Sequence, residues 1–239
     1  MDNPFEGMSE RMARAALETA EHRAACRLEP CPRCERFVCV IGCGAKVERE
    51  NMRCRGCVKR ERREAWGQRA LAAVPRGFSD SSLESEWLVR LVGQAGIETA
   101  KGALAESRVV AVGPPGSGKT SLLAAMLVAA DFPTRPGPVW VSAHQLAKAR
   151  TLHPLGEGEA PIIAQALDAS VLVVDELGGE DQRYASAVAE VLFERHAEAK
   201  PTWVTTGVTP KEISARYGGG IARRVFEGAT VFRLIGRLP

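Results

Sequence analysis

The chain has 239 residues, 45% of them apolar and 26% charged, which suits one packed domain with a small appendage and excludes global disorder. Its longest apolar stretch, Leu122 to Ala130, is under half the ~20 residues of a membrane span, and Asp2, Glu6 and Glu10 stand where a secretory signal is basic. The expectation is a cytoplasmic protein with no membrane partner, whose modest net charge of +3 hides a basic run of seven Lys/Arg against two Glu over residues 49–63.

In chain order, residues 8–25 mix Ala and Leu with Glu and Arg at helical spacing, with Ser9 as a candidate N-cap. The apolar face of this helix (Met12, Ala15, Ala16, Leu17) is thin and suits docking on another surface. All seven cysteines follow between Cys26 and Cys57. In a reducing compartment such a cluster reads as metal ligands rather than disulfides. Cys31-x₂-Cys34 and Cys54-x₂-Cys57 have the spacing of a Cys₄ zinc ribbon, a closed structural site with no open position for catalysis. Cys39 and Cys43 are alternatives for one of the two pairs. A metal also answers a physical need, since about 30 residues cannot fold on their own apolar core.

A basic helix is expected over residues 58–73. Its cationic run (Arg49, Arg53, Arg55, Lys59, Arg60, Arg62, Arg63) fits a nucleic-acid backbone, a solvated face or a protein-docking surface, with Trp66 the one aromatic placed to stack on a base. Val74-Pro75-Arg76-Gly77-Phe78 and the serines after it mark a domain boundary, giving an N-terminal module over 1–70 and a second domain over 74–239. That domain reads as helix 83–103, strand 108–112, helix 118–130, strand 138–142, helices 142–150 and 160–168, strand 171–175, helix 181–199, strand 202–206, helices 210–216 and 219–227, and strand 230–235. The runs Val109–Val112 and Val171–Val174 do not alternate, as in strands covered on both faces. Buried strands alternating with helices predict an α/β fold around a parallel sheet.

Gly113-Pro114-Pro115-Gly116-Ser117-Gly118-Lys119-Thr120 matches the phosphate-loop pattern at every position, between a buried strand and a helix. Its glycines turn backbone N–H groups toward phosphates at a helix N-terminus. Lys119 is expected on the β- and γ-phosphates of ATP and the Thr120 hydroxyl on Mg²⁺; Ser121 completes the candidate nucleotide-binding set. At the end of the strand before residue 176, Asp175 suits Mg²⁺ and its waters, and Glu176 suits polarising an attacking water. Paired acids of this kind point to hydrolysis rather than binding alone.

Residues from Val74 onward resemble the AAA+ core of the DnaC/IstB-like family, the helicase loaders and transposition-helper ATPases of bacteria. The likeness rests on Val74–Phe78, on GPPGSGKT and VVDELG, on Trp203–Ile213 (WVTTGVTPKEI) as a sensor strand end, and on Arg216–Gly228 (RYGGGIARRVFEG) as the finger segment. It implies a five-stranded parallel P-loop core without a C-terminal lid, preceded here by the small zinc-binding domain. It also implies ATP with Mg²⁺ between subunits of a homo-oligomer, and single-stranded DNA and a replicative DNA helicase as partners. By that likeness Arg224 is the arginine finger, with Arg223 its rival, and the N-terminal region contacts the helicase. Gly207 stands where the family has an Asn sensor, which leaves Thr205 or Thr206 as substitutes and predicts slow hydrolysis. Two other readings stand beside the loader. One is a transposition helper that binds duplex DNA and recruits a transposase; the other is a zinc-containing nucleic-acid-binding protein with a nucleotide switch and little turnover.

Overall fold

The computed structural model describes residue 45 and residues 54–132, 135–154 and 156–236. The expected helix over 8–25 and Cys31, Cys34, Cys39 and Cys43 lie outside the described residues. The chain divides into two compact units, Met1–Glu61 and Arg62–Pro239.

In the first unit the described residues are few. Cys54 directly precedes helix α1 (Arg55–Ala73), and the Cys57 N–H points at its Sγ at 3.4 Å. Cys57 is buried, with Ala45 and Cys54 against it.

In the second unit, α1 continues to Ala73, followed by α2 (Glu86–Val92) and α3 (Gln94–Gly102). The sequence reading had one helix over 83–103. Gly93 divides it, taking φ +83°, a conformation that side chains rarely adopt and that helices cannot carry. Then come β1 (Arg108–Val112), α4 (Lys119–Ala129), β2 (Val139–Ser142), α5 (Ala143–Leu152), α6 (Pro161–Asp168), β3 (Leu172–Leu177), α7 (Ala185–Ala197), β4 (Thr202–Thr206), α8 (Pro210–Tyr217), α9 (Gly219–Phe226) and β5 (Thr230–Arg233). Two helix starts carry reciprocal capping boxes, Ser142 with Gln145 and Thr209 with Glu212, each satisfying backbone N–H groups that the first turn leaves open.

All strand pairs are parallel, in the order β2-β3-β4-β1-β5, as the five-stranded reading expects. Alternate strand side chains feed two cores. Val109, Ala111, Val173, Trp203 and Phe232 face α2, α3, α4 and the end of α1; Val110, Val141, Leu172, Val174 and Val204 face α5 to α9. Helix α4 is apolar nearly all round because it is buried nearly all round.

The sequence reading left residues up to 70 in the N-terminal module and Trp66 free to stack on a base. Instead, Trp66 is wholly buried in the second unit. Its indole N–H donates to the Leu127 carbonyl at 2.8 Å, and its ring leans on Phe132, which stands edge-on to Trp203. A large indole with its N–H satisfied belongs to the core and is unavailable for stacking.

Candidate active site

Strand β1 ends at Val112, and α4 starts at Lys119 with Gly118 as its N-cap. The loop is tied to the sheet by Gly113 N–H to Thr206 O (3.2 Å) and to itself by Ser117 N–H to Pro114 O (3.3 Å). Gly118 ends the turn at φ +86°, a conformation that favours glycine, and a Cβ there would also push on the Leu91 side chain, 2.2 Å from its Cδ2. The Ser117 hydroxyl is buried and has no partner. At a helix N-terminus, that orphan donor fits an anion's oxygens.

Lys119 is buried, and its ammonium donates to Pro114 O at 2.8 Å, within its own loop. Burial pulls its pKa below the ordinary lysine value, against the opposing charges of Asp175 and Glu176. A phosphate would replace that single carbonyl with a full counter-charge.

The acidic pair sits where β3 loses register with β4. Pairing slips between Val174 and Leu177, and Glu176 takes φ +58°, a strained value for a residue with a side chain. Thr205, at the facing end of β4 and fully buried, holds the irregularity. Its hydroxyl donates to Asp175 Oδ1 and accepts the Glu176 N–H at 2.8 Å. Asp175 Oδ1 also accepts from the Thr120 hydroxyl at 3.2 Å. Lys119, Thr120, Asp175 and Glu176 therefore converge at the carboxyl ends of β1 and β3, with Ser121 buried behind them. These groups fit a nucleotide and its cation: backbone amides and Lys119 for phosphates, Thr120 and Asp175 for a hard metal ion.

The proposed sensor substitutes are engaged elsewhere. Thr206 donates to Leu177 O at 2.7 Å and accepts from Val208 N–H, while Thr205 is bound to the acids. Both hydroxyls bond to the end of β3 or the residues beside it. Gly207 sits beside the loop; a Cβ there would lie 3.8 Å from Gly113 O.

A cluster not anticipated from the sequence anchors the loop after Glu176. Glu180 is buried and accepts hydrogen bonds from Arg216 Nε (2.7 Å), the Tyr217 hydroxyl and Gly178 N–H (3.1 Å). Burial, then Glu180 as acceptor and as charge, pushes the Tyr217 pKa far up, so it remains a donor. The loop after β3 is thereby fastened to α8.

Arg224 is not brought to the loop of its own chain. It lies on α9 with its guanidinium over the Phe193 ring (4.6 Å) and Nη1 donating to Gly220 O (3.0 Å). It shares a cavity with Arg108 and Thr202, the first residues of β1 and β4. The phosphate loop follows the last residue of β1, about 13 Å away at ~3.3 Å per residue. Arg223 is exposed and pairs with Glu227 at 3.6 Å.

Of the cysteine set, Cys54 and Cys57 are described. Cys57 Sγ accepts from Arg60 Nη2 at 3.5 Å. Among the described residues no group of three or more His, Cys, Asp or Glu is placed to hold a metal ion, and no helix is long and apolar enough to cross a membrane.

Among solved structures, the chain is similar in fold to the DnaC helicase loader, with a TM-score of 0.55 at 18% identity over 67% of this chain and 99% of that one. It is similar likewise to DnaI, with a TM-score of 0.53 at 20% identity over 71% and 98%. A DNA replication initiation factor also matches, at 0.51 and 20% over 65% of this chain and 49% of that one. No family model and no curated protein matches the chain. At these identities the likeness is one of fold, and it falls on the same group of AAA+ proteins that the sequence motifs resemble.

Proposed function

We propose that the chain is an ATP-hydrolysing loader that binds a replicative DNA helicase and helps place it on single-stranded DNA. The observation that carries this reading is a phosphate loop, cation pair and strained acid assembled on a core that spans nearly the whole of the DnaC loader structure. Bound ATP with Mg²⁺ supplies a γ-phosphoryl group whose charge the cation partly neutralises. Lys119 and the loop amides hold the phosphates, and Thr120 and Asp175 hold the cation. Glu176 accepts the proton of the attacking water, its backbone fixed by Thr205.

Arg224 acts on the nucleotide of a neighbouring copy, because its own loop lies at the other end of the strands. This reading requires a homo-oligomer, assembled through the ATPase core. Cys54 and Cys57 join Cys31 and Cys34 on one structural Zn²⁺, and the N-terminal module grips the helicase. Capture on the full-length protein with ATP, followed by mass spectrometry, tests the partner. A hexameric helicase is expected; a transposase would replace the loader reading. A second reading, a nucleotide switch with little turnover, is favoured by Gly207 and by the engagement of Thr205 and Thr206. Turnover stimulated by single-stranded DNA removes it.

A further inference from the structure

At the amino ends of the strands, opposite the phosphate loop, a cavity of about 270 Å³ opens between β1, β4, α7 and α9. Its apolar wall is Leu192, Val204 and Val225, all nearly or fully buried. Its polar lining is cationic. Arg108 Nη1 lies 3.5 Å from His196 Nδ1, and Arg224 contributes a guanidinium whose Nε is buried with no partner. Lys200, also on the lining, directs its ammonium away to Leu167 O and Glu198. The nearby carboxylates are engaged as well, Glu198 with Lys200 and Glu227 with Arg223. Among the described residues neither Arg108 nor Arg224 has a carboxylate partner.

We propose that this cavity is a binding site for a small organic anion, a phosphate or carboxylate head on a compact apolar body. Two guanidiniums, one of them with an orphaned buried Nε–H, beside an apolar wall have the composition of a ligand pocket: mostly apolar surface with a few convergent polar groups. Arginine presents paired N–H donors that match an oxyanion's two oxygens. Two guanidiniums on one cavity repel one another, and an anion removes that repulsion. The His196 pKa is lowered by its partial burial and by the charges of Arg108, Arg224 and Arg223, in keeping with an uncompensated positive site. The pocket is separate from the nucleotide site by the length of the strands. An occupant would also hold Arg224 within its own subunit.

The test uses phenyl phosphate and benzoate as probes, with phenol and inorganic phosphate as controls, on the full chain saturated with ATP and Mg²⁺ in a Glu176→Gln background. The His196 ring resonances should move on adding either anionic probe and stay put with phenol. Calorimetry should show phenyl phosphate binding more tightly than inorganic phosphate, because only the former covers the apolar wall. Arg108→Ala should weaken the probe by ~10-fold or more, the loss of a charge-assisted hydrogen bond, while ATP affinity is unchanged. Arg108→Lys, which keeps the charge but not the fork, should recover part of the affinity. The proposal is overturned if His196 does not respond to millimolar probe. It is overturned equally if Arg108→Ala binds the probe as well as the parent, or if Lys119→Ala abolishes binding, which would assign the probe to a phosphate loop.

Discussion

In the proposed reaction Glu176 carries the chemistry on a strained backbone, and Lys119 carries the binding on a desolvated charge. The two residues should therefore fail differently when changed. Lys119→Ala removes contact with ground-state phosphates and should lower MgATP affinity. Glu176→Gln keeps shape and hydrogen bonding, and should bind MgATP normally yet stop turnover. Equal losses of affinity, read by nucleotide fluorescence titration, would show that Glu176 is not the base. Lys119 gives a second signature. Its pKa in the empty loop lies below the ordinary lysine value, and bound phosphates favour the charged form and raise it. Where the empty loop has begun to lose that proton, binding takes a proton up, so affinity falls as pH rises through the free-loop pKa. Calorimetry in two buffers of different ionisation enthalpy, at about pH 9 to 10 where lysines begin to titrate, should show uptake in the parent and none in Lys119→Ala.

Helix α6 ends on a buried arginine from α7. Arg195 is fully buried; its Nη1 donates to Ala166 O, Leu167 O and Ala169 O at 2.8 to 3.1 Å, its Nη2 to Pro201 O, and its Nε to Thr202 Oγ1 at 3.0 Å. These are carbonyls that a helix end leaves open, and a cation there also meets the negative end of the helix dipole. Burial draws its pKa down to about 10, which leaves it charged at neutral pH. Arg195→Ala strands several buried carbonyls and should cost about 3 kcal/mol or more of stability by chemical denaturation. A loss under ~1 kcal/mol would mean that water takes over the cap. Nothing local marks Arg195 in the sequence, where it sits in a helix beside Glu194 and His196. Its partners are distant along the chain, as are those of Glu180 on Arg216 and Tyr217. The phosphate loop and the Asp175–Glu176 pair were legible because each is a contiguous run at a strand end. Trp66 was misread because one helix's sequence does not say which face another helix will cover.

At the scale of the whole molecule, the proposed arginine finger requires a second subunit. Arg224 lies at the amino edge of the sheet while the phosphate loop lies at the carboxyl edge. If Arg224 serves a neighbour, Arg224→Ala should bind ATP normally and hydrolyse it ~10³-fold more slowly or worse. Mixing Arg224→Ala with Lys119→Ala protein should restore part of the turnover through interfaces that pair an intact arginine with an intact loop. No recovery at any ratio would place the arginine outside the reaction. Metal analysis bears on the other unit. About one zinc per chain is expected, and Cys54→Ser with Cys57→Ser should release it while ATP affinity survives. The parallel α/β class was readable from unbroken apolar strands. The strand order was not, since a crossover pairs strands that the sequence sets far apart.

That strand order also fixes when the site can exist during synthesis. Strand β1, which leads into the phosphate loop, pairs with β4 and β5 and with neither strand that follows it directly. Its last carbonyl, on Val112, accepts the Leu234 N–H at 2.8 Å. A ribosome that has made the loop and α4 has therefore made a nucleotide motif with no sheet beside it. Both flanks of β1 stay open until residues 202–206 and then 230–234 have emerged, leaving apolar strand edges for a chaperone or for aggregation. Interactions this far apart along the chain also fold slowly. A nascent chain ending at Gly207 and tethered through a spacer long enough to clear the exit tunnel should hold β1 against β4 alone, so ATP protection of the loop from proteolysis should appear only when β5 is included and also clear of the tunnel.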